Sequence, residues 1–173
     1  MFEITTEAPP REVDMLLSSG EQISIALATM CMENMGYSAV SLTGWQAGIH
    51  TNSTYNNASI YEINKKKINE LLSQGKIVFV AGFQGIDDEG NITTLGRGGS
   101  DTTAVSLAAW FSAETCQIYT DVDGVYTSDP RKSGNARKID KLTYDEMLML
   151  IEQGAQVLHK QSVLTAKKHN VEI

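Results

Sequence analysis

The 173-residue sequence predicts an α/β fold on a mainly parallel sheet, and three observations carry that prediction. Short apolar, β-branched runs such as Ile77–Ala81 alternate with longer stretches of helical periodicity. A glycine-rich turn, Gly96–Gly99, joins the β-rich run Ile92–Leu95 directly to the small, apolar helix pattern of Ala104–Ala113. The 42% hydrophobic content is enough for one core of about one domain.

The elements follow in order. Ala8-Pro9-Pro10-Arg11 leads into a helical pattern with no strand before it. Ser19 and Gln22 match a capping box, followed by apolar Ile23, Leu27, Met30 and Cys31 and a stop at Gly36, so the first helix is expected there. Ala39–Leu42 reads as a short buried strand, and Ile49–Ile60, rich in Asn, Thr and Ser, as irregular or hairpin-like. Asn64 caps a second helix that carries Ile68, Leu71 and Leu72 on one face and ends at Gly75. Ile77–Ala81 has the composition of a strand buried on both faces. Asp87–Asn91 is a turn, and Ile92–Leu95 leads into the glycine loop. The helix after that loop is expected to be closely buried, with Ser100 as its N-cap. Cys116–Thr120 reads as a buried strand. Thr143-Tyr144-Asp145-Glu146 is a second capping-box match opening a helix with Met147, Leu148, Leu150 and Ile151. Gly154 breaks that helix, another runs to about His169, and Asn170–Ile173 resembles a turn feeding a strand cut short.

Composition narrows the function. A formal charge of −7, with Lys65–Lys67 the only basic cluster, argues against nucleic acid. No charged-plus-apolar leader is present, and the apolar run around Ile77–Val80 is too short to span a bilayer, so no membrane partner is expected. Cys31 and Cys116 lie in apolar patterns without metal-ligand spacing and are expected as buried free thiols in a reducing compartment. His50, His159 and His169 have no zinc-like grouping, and no metal ligands are assigned.

Two segments carry the chemistry. In Gly96–Asp101 the glycines free the backbone for close approach to a ligand, first-turn amides offer an anion site, and Arg97 can grip a carboxylate or phosphate with two parallel hydrogen bonds. In Tyr119–Arg131 a strand ends at Thr120 and Asp121, an Asp-Gly turn follows, and a polar loop closes with Asp129-Pro130-Arg131. Ligands of open α/β sheets bind beyond such strand ends. Taken singly, these residues have plainer readings. The loop is also an ordinary strand-to-helix turn, Glu21 an acidic first-turn residue, Asp101 a charge complementing the helix dipole, and Tyr126 a packing residue. The P-loop pattern is missing, which disfavours that class of kinase.

Together, Gly96–Asp101 and Tyr119–Arg131 resemble the signatures of the aspartate kinases, a branch of the amino acid kinase family. Ser19–Gln22, Gly44–Gly48, Val80–Gly85 and Gly154–His159 fall in the order expected of that family. The resemblance implies a three-layer sandwich around a mainly parallel sheet, incomplete at the N-terminus. It implies that residues 1–173 are part of a catalytic domain, without the family's N-terminal Lys-Phe-Gly-Gly segment or its C-terminal ACT regulatory domains. The implied reaction is ATP-dependent phosphorylation of the L-aspartate side chain to 4-phospho-L-aspartate, the first step toward lysine, threonine and methionine, in the cytoplasm and with magnesium as the ATP counterion. A homo-oligomer is implied for the full-length enzyme.

By the same resemblance, Glu21, Arg97, Gly98, Gly99 and Ser100 bind the amino acid, with Arg97 also acting in catalysis and Asp101 orienting catalytic groups. Thr120, Asp121, Tyr126, Thr127, Ser128, Asp129, Pro130 and Arg131 surround ATP. Many members carry a nucleotide-facing lysine where this chain has Gln156, which supplies no charge. With the phosphate-facing lysine of Lys-Phe-Gly-Gly also missing, the chain is expected to be a weak or inactive kinase alone. The competing readings are another amino acid kinase, acting on glutamate, acetylglutamate or UMP, and a non-catalytic fragment that binds nucleotide or partner subunits.

Overall fold

Proline at the first helical position opens α1, Pro10–Asn34, where its fixed φ and missing N–H are no handicap. These features come from a computed structural model that describes residues 4–128 and 130–173. Helix α1 begins ten residues earlier than the Ser19 capping box predicts. Ser19 therefore lies mid-helix, and its hydroxyl donates back to the Leu16 carbonyl at 2.7 Å. The helix ends where expected, with Gly36 at φ +88°.

Its faces are the reverse of an ordinary surface helix. Asp14, Ser18 and Thr29 are buried, whereas Leu16, Ile23, Leu27 and Met30 are exposed. Cys31, expected inside, is on the same exposed side. The periodicity was correct, but the polar stripe faces the protein. An 18-residue window of α1 reaches a mean hydropathy of 1.2, making it long and apolar enough to cross a membrane by length and composition alone. Interspersed Ser, Thr and Gly break that window into short apolar runs, so no single unbroken run marks it in the sequence.

The chain continues through β1 (Ala39–Leu42), β2 (Ile49–Thr51), β3 (Ile60–Ile63), α2 (Lys66–Ser73), β4 (Ile77–Val80), β5 (Gln84–Ile86) and β6 (Ile92–Thr94). Among the described residues, β1 and β4 form a parallel pair, Ala39 opposite Ile77 and Leu42 opposite Val80. A four-stranded sheet has the order β3-β2-β5-β6, with β2 and β5 parallel and the two outer pairs antiparallel. The α/β class with parallel pairing holds. Strand β4 is only part-buried and Ile77 is exposed: α1 and α2 lie against it, but β1 is the one described strand beside it, which leaves an edge open. In α2, Ile68 and Leu71 are buried but Leu72 is exposed, so the inward stripe is narrower than predicted.

Helix α3, Gly99–Phe111, stands between two apolar clusters. Leu107, Trp110 and Phe111 pack on Leu42, Ile49, Ile63 and Ile68, while Val105 and Ala108 join Cys116, Ala166 and Val171. Contacts on both sides account for the apolar and small residues that fill it from Ala104 onward. Helices α4, Tyr144–Glu152, and α5, Lys160–His169, complete the second cluster. The Thr143–Glu146 capping box forms as predicted.

The Cys116–Thr120 segment is not a strand. Its Cys116 N–H donates to the Glu172 carbonyl at 2.7 Å, but among the described residues no strand lies alongside, and Tyr119 is almost fully exposed. Apolar, β-branched composition alone cannot make a strand without a neighbour to complete its hydrogen bonds. Likewise, Asn170–Ile173 makes the expected turn, with Asn170 at φ +53°, but no strand.

Candidate active site

The β6–α3 connection is built by backbone geometry that glycine tolerates. Gly96 and Gly98 have φ +74° and +69°, and the Gly99 N–H closes the turn on the Gly96 carbonyl at 3.0 Å. A Cβ at position 98 would overlap the imidazole of His159, the residue preceding α5. Gly98, not Ser100, is the N-cap, and it offers no side chain. Ser100 lies inside the first turn, exposed to solvent.

This connection forms one wall of a cavity of about 420 Å³. Leu17 and Glu21 reach it from α1, Asn56 from the β2–β3 loop, Phe83 from the turn before β5, and Thr94 from β6. Gly96, Arg97, Gly98, Gly99 and Ser100 complete it. All five residues expected to bind an amino acid, Glu21 and Arg97–Ser100, therefore share one cavity. Sequence reasoning missed Leu17, Asn56, Phe83 and Thr94, which come from separate elements. Asn56 and Phe83 hold φ of +63° and +67°, which their sequence neighbourhoods do not announce. The Trp45–Gly48 motif lies elsewhere, with Trp45, Gln46 and Gly48 lining a second cavity with Lys66 and Lys67.

Charges of both signs line the cavity of Arg97, as Lys66, Lys67 and Glu70 line the second cavity. Among the described residues, the ion pairs join Arg11 to Glu12, Lys138 to Asp123, Lys160 to Glu152 and Lys167 to Asp145. Neither half-buried Glu21 nor exposed Arg97 is in that set. A carboxylate and a guanidinium thus face one cavity without neutralising each other. That arrangement complements a ligand carrying both an ammonium and a carboxylate.

Asp101 lies just outside the cavity lining, half-buried in the first turn of α3. Burial pushes its carboxyl above the ordinary carboxylate range, and the charge of His159 partly offsets this. The Cys116 thiol is also pushed up, first by burial and then by Asp101. A raised folded-state pKa means that the folded chain binds this proton more tightly than the unfolded chain. The associated stability is complete below the ordinary Asp value of about 3.9 and is lost as pH rises through the raised value. Asp101→Asn is therefore expected to gain stability over the unsubstituted chain as pH rises from about 4 toward 7. Urea midpoints of the two proteins across that range check the sign, and a constant difference would refute it.

The second predicted segment forms a separate, exposed loop braced by residues 137–139. Tyr126 pairs with Lys138, the Thr127 N–H donates to the Arg137 carbonyl at 2.9 Å, and Ile139 N–H donates to Val125 at 2.9 Å. The Tyr126 hydroxyl donates to Asp123 at 2.9 Å, raising the phenol and holding the carboxyl low. Thr127 Oγ1 accepts from the Arg137 N–H at 3.1 Å, and Thr120 Oγ1 donates to Asp121 at 3.2 Å. Several predicted nucleotide contacts thus already serve loop structure. Ser128 and Pro130 are exposed beside them, Arg131 has partners within the chain, and Asp129 lies outside the described residues. None of the described residues among Thr120–Arg131 lines the Glu21–Arg97 cavity.

The family model for the amino acid kinase family matches residues 2–173. The chain belongs to the amino acid kinase family. This amino acid kinase chain is 56% identical over 169 residues to an aspartokinase of Bacillus sp. strain MGA3, covering 98% of the chain and 41% of that relative. It thus spans about two fifths of the length of the curated relatives it matches. Its fold superposes on aspartate kinase from Synechocystis with a TM-score of 0.82 and 46% identity, covering 98% of the chain and 28% of that structure. Against E. coli aspartokinase III in complex with aspartate and ADP the TM-score is 0.81 at 32% identity, covering 96% and 38%.

Proposed function

We propose that this chain is a catalytic-domain portion of an aspartate kinase, transferring the γ-phosphoryl group of ATP to the side-chain carboxylate of L-aspartate. The observation that carries the proposal is the pair of opposite, mutually unpaired charges, Glu21 and Arg97, facing one cavity. Glu21 would hold the α-ammonium group and Arg97 a carboxylate, with the Gly98–Ser100 backbone closing on the same ligand. The likeness to an aspartokinase solved with aspartate and ADP supports aspartate as acceptor and an adenine nucleotide as donor.

Phosphoryl transfer needs both anions held in line and the charge on the moving group spread. Asp101, at the start of α3 beside the glycine loop, would orient polar groups toward that charge. The Thr120–Arg131 loop would hold the nucleotide, with Asp121 and Arg131 as its charged contacts. Magnesium normally accompanies ATP. Among the described residues, however, no three His, Cys, Asp or Glu side chains gather to hold an ion, so no step is assigned to a protein-bound metal.

Calorimetric titration with L-aspartate, glutamate, acetylglutamate and UMP, alongside ATP, tests the acceptor class. Preference for L-aspartate supports the proposal, and preference for another acceptor overturns it. Asp121→Ala and Arg131→Ala are each expected to weaken ATP binding by about tenfold, equivalent to about 1.4 kcal/mol, with aspartate affinity within twofold. Normal ATP affinity in both variants would remove this loop from the nucleotide site.

A further inference from the structure

We infer that Asp14, buried in α1, is a positioning residue that clamps two walls of the Arg97 cavity, an inference that rests on assigning that cavity to L-aspartate. Asp14 is fully buried, and no cation pairs with it among the described residues. Its carboxylate is satisfied by two chain segments remote in sequence. The Asn56 N–H donates to both oxygens at 3.0 Å, the Thr94 N–H donates to Oδ2 at 2.8 Å, and Thr94 Oγ1 donates to Oδ1 at 2.7 Å.

Both recipients line the cavity, and neither holds its place through regular structure alone. Asn56 sits in the β2–β3 loop at φ +63°. Its carbonyl lies so close to Gly96 that a Cβ there would come within 3.0 Å of it. Thr94 is the last residue of β6, two positions before Gly96, and its carbonyl accepts the Ala58 N–H at 2.8 Å. One carboxylate therefore ties the β2–β3 loop to the strand end from which Arg97 projects.

The same helix carries Glu21 seven residues on, two turns further along the inward stripe. Asp14 thus sets the spacing between the helix bearing the acid and the loop bearing the guanidinium. An amide is a poorer fit. The Thr94 hydroxyl could turn to accept from an asparagine NH₂, but the Asn56 N–H lies 3.0 Å from both oxygens and would meet that NH₂ at either position.

The test combines hydrogen exchange with calorimetry on the 173-residue chain and its Asp14→Asn and Thr94→Val variants. Asp14→Asn is expected to speed exchange at 55–58 and 94–100 while leaving 39–42 and 77–80 protected, and to weaken L-aspartate binding by about tenfold or more. Thr94→Val removes one of the bonds and is expected to loosen 55–58 to a smaller degree. It decides the matter if Asp14→Asn fails to fold. Unchanged protection at 55–58 and 94–100, or equal loss there and in the β1–β4 pair, overturns the positioning role. If the unsubstituted chain does not bind L-aspartate, the assignment of the cavity fails. The exchange measurements then decide by themselves whether Asp14 fixes these loops.

Discussion

Alanine at position 98 is expected to destabilise the chain by about 2–5 kcal/mol. Two effects add. A non-glycine residue held at φ +69° costs about 1–2 kcal/mol. The new methyl group must also displace the His159 side chain, its Cβ included, and overpacking of that kind typically costs about 1–3 kcal/mol. Gly75 separates the two, because it has nearly the same φ, +73°, with nothing close to where a Cβ would lie. Gly75→Ala should therefore show the backbone cost alone. Urea unfolding of both variants, and of Gly98→Ala combined with His159→Gly, which also removes the His159 Cβ, measures each part. The double variant should recover most of the packing loss. Equal losses for Gly98→Ala and Gly75→Ala would show that His159 does not restrain the loop.

Arg97→Ala is expected to weaken L-aspartate binding by roughly 10- to 150-fold, corresponding to about 1.5–3 kcal/mol for a hydrogen-bonded charged group. The melting temperature should scarcely change, because Arg97 is exposed and none of the described ion pairs includes it. Lysine should restore little of the affinity, since an ammonium group cannot grip a carboxylate with two parallel donors. Paired titrations with L-aspartate and ATP check the assignment. Unchanged aspartate affinity with weakened ATP binding would move Arg97 to the nucleotide.

Features set by local rules could be read from the sequence. Gly36 and Gly75 end their helices, and Thr143 with Glu146 opens α4, because those choices depend on a few neighbouring residues. The gathering of Glu21 with Arg97–Ser100 followed from motif resemblance, and the cavity brings those residues together. What escaped prediction depends on distant partners. Ser19 and Gln22 have the spacing of a cap, but Pro10 starts the helix earlier and Gln22 Nε2 instead donates to Gln84 Oε1 at 3.2 Å. Cys116–Thr120 has strand composition without a neighbouring strand. Cys31 follows helical periodicity on the side that turned out to face solvent. Asp14 was not among the residues the sequence singled out, since nothing local marks the two amides that it accepts from 42 and 80 residues away.

Those separations also bear on the order in which the molecule assembles. The hydrogen bonds of α1 are local, so the helix can form while the rest of the chain is still unfolded. Its polar stripe then has only water for a partner, and its apolar side is already exposed. The clamp must wait for two loop closures, and contacts of such long sequence range form slowly. On a ribosome, residue 94 emerges only after α1 has been free for some 60 residues of synthesis, roughly 3–12 s at 5–20 residues per second. The helix that finally orders the cavity is thus, for that interval, an uncovered apolar surface on the nascent chain.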